Sequence, residues 1–200
     1  MEAGSETTAI ALTNLMHNLV KNQDKLALLR AEIDAALGPD EKIPSFEKVR
    51  HLPYLKACID ENLRLWPSIT HGLARTVPPE GGSVMGHQIA GSVTVSIPTW
   101  VVHRDEAIWP NSEQYLPERW LDEKAKEWQS YYVPFSTGAR GCVGRNISLL
   151  EQYVLLAALV KRYDFELEDE NWVLDREEAL VCWTGRLPIK LRRRSEGGKD

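Results

Sequence analysis

The sequence predicts a mainly helical α+β fold, with long amphipathic helices packed around small antiparallel sheets. Apolar residues recur at spacings of three and four over residues 10–19, 23–37 and 147–159, the signature of helices burying one face. Short extended runs punctuated by Gly and Pro lie between and after them, which is the pattern of small hairpins. Of the 200 residues 43% are apolar, enough for one hydrophobic core.

Composition narrows the function. With 24 basic against 29 acidic residues and a net charge of −5, the chain has no dominant basic field and is not expected to bind nucleic acid. No apolar run is long enough to cross a bilayer, and no signal peptide is recognisable. The cysteines Cys58, Cys142 and Cys182 form neither an even set nor a C-x-x-C pair, which points to a reducing compartment rather than a disulfide framework.

The first helix begins at once, with Ile10, Leu12, Leu15, Met16 and Leu19 in period and no capping residue ahead, as in the second half of a longer helix. Its opening, Ala3-Gly4-Ser5-Glu6-Thr7-Thr8, is chemically suggestive. Thr7 can bond back to the Ala3 carbonyl and loosen the helix, Gly4 leaves room for a small ligand, and Glu6 can pass a proton inward. An ordinary first turn would also hold Ser, Glu and Thr. Leu26, Leu29, Ile33 and Leu37 define a second helix stopped by Gly38-Pro39. Ser45 starts a short helix reaching about Arg50, and Pro53 opens another that ends at Trp66-Pro67.

Glu61 and Arg64 in that helix share a face and can pair. As a surface bridge the pair contributes at most about 1 kcal/mol. Leu63, Leu65 and Trp66 crowd the stretch and point to a buried pair, which needs further partners. Pro117-Glu118-Arg119-Trp120 offers one in Arg119. Residues 72–77, 83–90 and 93–98 are expected to form one small antiparallel sheet, with turns at Pro78–Gly82 and Ala90–Ser92. His103-Arg104-Asp105 opens a loop with too few neighbouring ligands for a metal, and His17, His51, His71 and His87 read as surface or hydrogen-bonded histidines. Residues 106–134, with three prolines and three tryptophans, read as a packed irregular meander. At the end, Phe165–Glu168 and Leu187–Arg192 alternate as strands framing a hairpin near Gly185.

The chain is organised around Phe135-Ser136-Thr137-Gly138-Ala139-Arg140-Gly141-Cys142-Val143-Gly144. Its glycines permit tight turns and the approach of a large flat group to the main chain. The helical pattern of Ile147, Leu150, Val154, Leu155, Ala158 and Leu159 follows, so the Cys142 sulfur lies near a helix N-terminus, which favours the metal-binding thiolate. A lone cysteine is also commonly a buried small hydrophobe.

This decapeptide resembles the haem-binding signature of the cytochrome P450 family, Phe-x-x-Gly-x-Arg-x-Cys-x-Gly, at every specified position. Residues 3–8 resemble the family's oxygen-activating motif. Glu61-x-x-Arg64 with Pro-Glu-Arg119-aromatic resembles its structural triad. The resemblance runs from Ala3 to about Arg193 and implies the C-terminal part of the P450 fold: a partial domain over 1–194, a disordered tail over 195–200, and an absent N-terminal half. The style is similar to fungal microsomal members, including benzoate para-hydroxylase-like ones.

The resemblance implies haem b as cofactor, with Cys142 its axial thiolate. Phe135, Gly138, Arg140, Gly144 and Arg75 would hold it, the two arginines by its propionates, although Arg75 also reads as a strand-edge charge. Glu6 and Thr7 would steer protons to oxygen. Ser68, Ile69, Thr70, His71, Trp183 and Thr184 would face the substrate. The implied activity is monooxygenation of a small organic compound, of aromatic or secondary-metabolite type, using O2 and electrons from an NADPH-cytochrome P450 reductase. The reductase would dock by Arg145, Lys161 and Arg162. A full-length form would sit on the cytosolic face of the endoplasmic reticulum membrane, whereas the chain alone would be cytosolic. Two other readings stay open: a haem-thiolate isomerase or dehydratase needing no reductase, and a truncated, inactive remnant.

Overall fold

The computed structural model describes residues 2–194, so the expected tail over 195–200 lies outside the described residues. Four helices make the core: α1 (Glu2–Lys21), α2 (Gln23–Ala36), α4 (Pro53–Leu65) and α7 (Arg145–Arg162), with the short α3 (Phe46–Val49) lying on α7. Leu15, Leu19, Leu26, Leu29, Ile33, Leu55, Ile59 and Leu156 are fully buried between them. Each such side chain contributes roughly 1.5–3 kcal/mol relative to exposure. Periodicity located the first five of these, which keep one face of α1 and of α2 apolar, but not Leu55, Ile59 or Leu156.

Polar groups set the register of this core. Asn62 donates to the Ala11 carbonyl at 2.9 Å and accepts from Asn18 at 3.0 Å, bolting α4 to α1. The carboxylate of Glu32, on α2, accepts from the free amides of Tyr54 and Leu55, both at 2.8 Å. A negative charge therefore caps the start of α4, where orphan N–H groups and the helix dipole favour it. At the far end, Asp34 accepts from Lys161 at 3.1 Å and Arg194 at 2.6 Å, tying the end of α7 and the last described residue back to α2.

The β structure departs from expectation in two places. Residues 72–98 form two separate ladders rather than one sheet. Strand β1 (Arg75–Thr76) pairs antiparallel with β4 (Thr94–Val95), and the hairpin β2 (Gly82–Val84) with β3 (His87–Ile89) is nested between them. Pro78 and Pro79 have no amide hydrogen to continue a ladder from β1 into β2. Gly91 closes the fold over them, since a Cβ there would stand 2.0 Å from the Pro79 oxygen.

Near the C-terminus β5 (Tyr163–Leu167) does pair with β8 (Ile189–Arg193), but they are not joined by a turn at Gly185. A second hairpin, β6 (Arg176–Glu178) with β7 (Cys182–Thr184), is inserted between them and turns at residues 179–181. Gly185 instead follows β7 and donates to the Asp175 carbonyl at 2.9 Å. The two inserted strands have three residues each, too short to show an alternating pattern in sequence. The meander holds α5 (Thr99–Val102), a 3-10 turn over Pro117–Leu121 and α6 (Ala125–Trp128). No helix among the described residues is long and apolar enough to cross a membrane.

Candidate cofactor-binding site

The cysteine loop leaves the meander at Val133 and enters α7 at Arg145. Ser136 and Gly138 both take positive φ, 58° and 70°. Gly138 is the residue suited to that region, and its missing side chain leaves open space, with no atom within 4 Å of where a Cβ would stand. The loop closes on itself when the Cys142 amide donates to the Phe135 carbonyl at 2.9 Å and that of Gly141 to the Gly138 carbonyl at 3.0 Å. Cys142 is exposed, whereas Cys58 and Cys182 are buried, and burial pushes both of those thiols up. Gly144 sits at the N-cap of α7, where a Cβ would lie 3.8 Å from the Cys142 sulfur.

One face of α7 differs from expectation. The buried side is Gln152, Tyr153, Leu156, Ala157, Ala158 and Val160. Ile147, Leu150 and Leu155, read from the sequence as part of the apolar face, are exposed, Ile147 to 65%. The α7 helix is apolar on two sides, so periodicity alone could not separate the face that meets the core from the one that does not. With the fully exposed Val143, Ile147 and Leu150 make an apolar stripe running from beside Cys142 along the helix. Arg140 is also exposed in the loop. A thiol, a stripe of apolar side chains and a surface guanidinium fit a flat apolar group carrying carboxylates.

The start of α1 lies against the start of α7, since the Thr8 hydroxyl donates to the Ser148 hydroxyl at 3.0 Å and Gln152 donates to the same oxygen at 3.2 Å. Thr7 bonds back to the Ala3 carbonyl at 2.7 Å, and its own carbonyl accepts from Ser68 at 2.7 Å. Thr7, Ser68 and the first turn of α7 are thereby brought together, and Glu6 is half-buried beside them. Gly4 faces open space.

The other expected residues are more dispersed. Ile69 and His71 are half-buried, while Thr70 is buried and bonds to Glu178 of β6. The Ser68 carbonyl accepts from the Cys182 amide at 2.9 Å, which seats the hairpin carrying Trp183 and Thr184 over this strip. Arg75 is exposed on β1 with Nη1 on the Ala74 carbonyl. Of the proposed docking cations Arg145 is exposed, but Lys161 is already engaged by Asp34 and Arg162 lies over the Tyr163 ring.

Behind the loop is a buried knot. The Glu61 carboxylate accepts from Arg64 through Nε and Nη2, both at 2.9 Å, from Arg119 Nε at 3.0 Å, from Trp120 Nε1 at 2.9 Å and from the Leu116 amide at 3.1 Å. Glu61 and Arg64 are 0% exposed. Five donors satisfy one carboxylate, which offsets the cost of burying the charges. Arg119 continues to the Pro110 carbonyl at 3.0 Å, so the knot fastens α4 to the meander.

Sequence reasoning passed over two features here. His103 is fully buried beside the knot, and burial pushes its imidazolium down to about 3. Arg104 and Arg176 both stack on Trp66, at 5.2 and 3.4 Å from its ring centre, with Arg104 also 3.1 Å from that of Trp100. Burial pushes both guanidiniums down to about 10, leaving them charged at neutral pH. Trp66, the ring they share, is remote from both in sequence and carries no local spacing signal.

Comparison with known proteins agrees with this geometry. The family model for Cytochrome P450 matches residues 1–192. Cytochrome P450 monooxygenase cicH of Emericella nidulans is 38% identical over 98% of this chain and 40% of its own length. Cytochrome P450 monooxygenase FUM2 of Gibberella moniliformis is 35% identical over 93% of this chain and 40% of its own. Benzoate 4-monooxygenase bphA of Aspergillus niger is 31% identical over 98% of this chain and 38% of its own. A crystal structure of a cytochrome P450 superposes with a TM-score of 0.85 at 30% identity, over 96% of this chain and 43% of that one. The chain thus spans about 40% of the length of the curated relatives it matches. With its fold matched over nearly every residue, the chain belongs to the cytochrome P450 family.

Proposed function

We propose that this chain forms the haem-thiolate part of a monooxygenase, in which Cys142 would hold the iron of haem b through its sulfur. The carrying observation is that Cys142, alone of three cysteines, is exposed, on a loop closed by the Cys142–Phe135 hydrogen bond and continued by the Val143–Ile147–Leu150 stripe. Bound haem supplies the redox chemistry that lets one oxygen atom of O2 enter an organic substrate. The protein's own groups hold and shelter it: Phe135, Gly138 and Gly144 shape the cradle, and Arg140 and Arg75 offer guanidiniums to the propionates.

Thr7, whose hydroxyl bonds back to the Ala3 carbonyl in the first turns of α1, and Glu6 would carry protons toward the substrate side. Ser68, Ile69, Thr70, His71, Trp183 and Thr184 border the substrate. A small aromatic compound is a fitting class, in line with the benzoate monooxygenase among the relatives. Electrons come from an NADPH-cytochrome P450 reductase meeting the face that carries Arg145, and a full-length form would work at the cytosolic face of the endoplasmic reticulum membrane.

A reduced carbon monoxide difference spectrum of the 200-residue chain with added haem tests the central assignment. The expected result is the red-shifted Soret band of thiolate ligation, absent from Cys142→Ala. A band typical of imidazole or water ligation in the unsubstituted chain would overturn it.

A further inference from the structure

His103 sits where α5 ends, fully buried between the knot and the segment that leads into the cysteine loop. Its two ring nitrogens have different partners. Nδ1 is 3.0 Å from the Arg64 carbonyl oxygen, and the Val133 amide points at Nε2 from 3.0 Å. A carbonyl can only accept and an amide N–H can only donate. The ring must therefore carry its proton on Nδ1 and leave Nε2 as a bare acceptor. No other protonation state satisfies both neighbours.

The clasp is reciprocal, since Arg64 Nη1 donates to the His103 carbonyl at 2.7 Å. The same Arg64 thus holds Glu61 by its fork, and His103 by its backbone oxygen and its remaining nitrogen. The imidazole also stacks on Tyr132, ring centres 5.8 Å apart and planes 22° apart, and meets the Trp109 ring edge-on. From Val133 the hydrogen bonds run on toward the sulfur: the Ser136 amide donates to the Val133 carbonyl at 3.0 Å, and the Cys142 amide to the Phe135 carbonyl at 2.9 Å.

We infer that His103, as the neutral Nδ1–H tautomer, is the positioning residue that couples the Glu61–Arg64–Arg119 knot to the Cys142 loop by holding the Val133 amide. The knot itself makes no bond to residues 133–144 among the contacts of its three side chains. Its rigidity reaches the loop through the imidazole and through Tyr132, whose hydroxyl donates to Asp60 at 3.1 Å. The functional weight of this coupling rests on the reading of Cys142 as the haem ligand, but its geometry does not.

The test uses the full chain without haem. Nitrogen-15 NMR of the histidine rings reads the tautomer directly, and a protonated Nδ1 with a bare Nε2 is expected for His103. Amide hydrogen exchange is then compared in wild type, His103→Phe and His103→Gln, taking the β5–β8 ladder as internal reference. His103→Phe keeps the stacking ring and loses both hydrogen bonds. It is expected to speed exchange at Val133 and Cys142 by about tenfold relative to the reference, the worth of one good hydrogen bond. His103→Gln, which offers an acceptor and a donor on one side chain, is expected to restore most of the protection.

An Nε2–H tautomer in wild type overturns the inference, as does equal acceleration of loop and reference in His103→Phe. Should that variant fail to fold, the wild-type tautomer and the Gln variant decide, and loss of loop protection in His103→Gln equal to a general loss counts against. Absence of a thiolate spectrum with haem would overturn the cofactor assignment while leaving the exchange result standing.

Discussion

At the scale of single residues, the most demanding group is the Glu61 carboxylate, a full negative charge with five donors and no exposed surface. Glu61→Gln keeps its shape and removes its charge. Two buried guanidiniums, Arg64 and Arg119, would then face an amide that must also turn its own NH2 toward one of them. Removing one partner of a buried ion pair typically costs about 3–5 kcal/mol. Urea unfolding should show a midpoint shift of that order with an unchanged slope, and a loss under about 1 kcal/mol would mean the knot is hydrated in solution. This triad was legible in the sequence because Glu-x-x-Arg fixes two members on one helical turn and Pro-Glu-Arg-aromatic supplies the third. His103 was not, because the residues that define its role, Arg64 and Val133, are 39 and 30 positions away and one of them contributes only a backbone amide.

At the scale of elements, the long helices were legible and the short strands were not, for reasons of length. A helix of fourteen or twenty residues repeats its apolar face several times, whereas β6 and β7 offer three residues each and no period. Which face a helix buries is a separate question, and α7 shows why. Tyr153, Leu156 and Val160 are buried in the core while Val143, Ile147 and Leu150 form an exposed stripe, so its apolar residues answer to two different contacts. Ile147→Glu separates them. Exposed positions away from special features change stability by no more than about 0.5 kcal/mol, and the unfolding midpoint should barely move. Haem retention should fall, because the charge would lie where the apolar macrocycle packs in the proposed complex. A midpoint unchanged and a haem titration unchanged would together show that the stripe plays no part in binding it.

For the molecule as a whole, the balance of titrating groups predicts how it responds to acid. Burial lowers His103 to about 3, and burial with nearby Arg176 and Lys21 lowers His17 to about 4. A histidine depressed in the folded state binds fewer protons there than in the unfolded chain, where it titrates near 6.5. Its contribution is therefore complete above that value and is lost as the pH falls through it toward the folded value. For His103 alone the loss between about pH 7.5 and about pH 5 comes to about 2 kcal/mol. The carboxylates act in a lower window. Burial works to raise Asp34 and Glu118, but their cationic partners hold both low, and they lose their contribution only below about pH 4. Asp60 opposes this trend, since burial raises it despite Lys56 and Tyr132, and protonating it favours the folded state. Urea midpoints measured from pH 7.5 down to 5 should therefore fall steadily before any ordinary carboxylate titrates, and the slope should be shallower in His103→Gln. A flat profile over that range would mean that water reaches the imidazole in solution, and a rising one would mean that Asp60 outweighs both histidines.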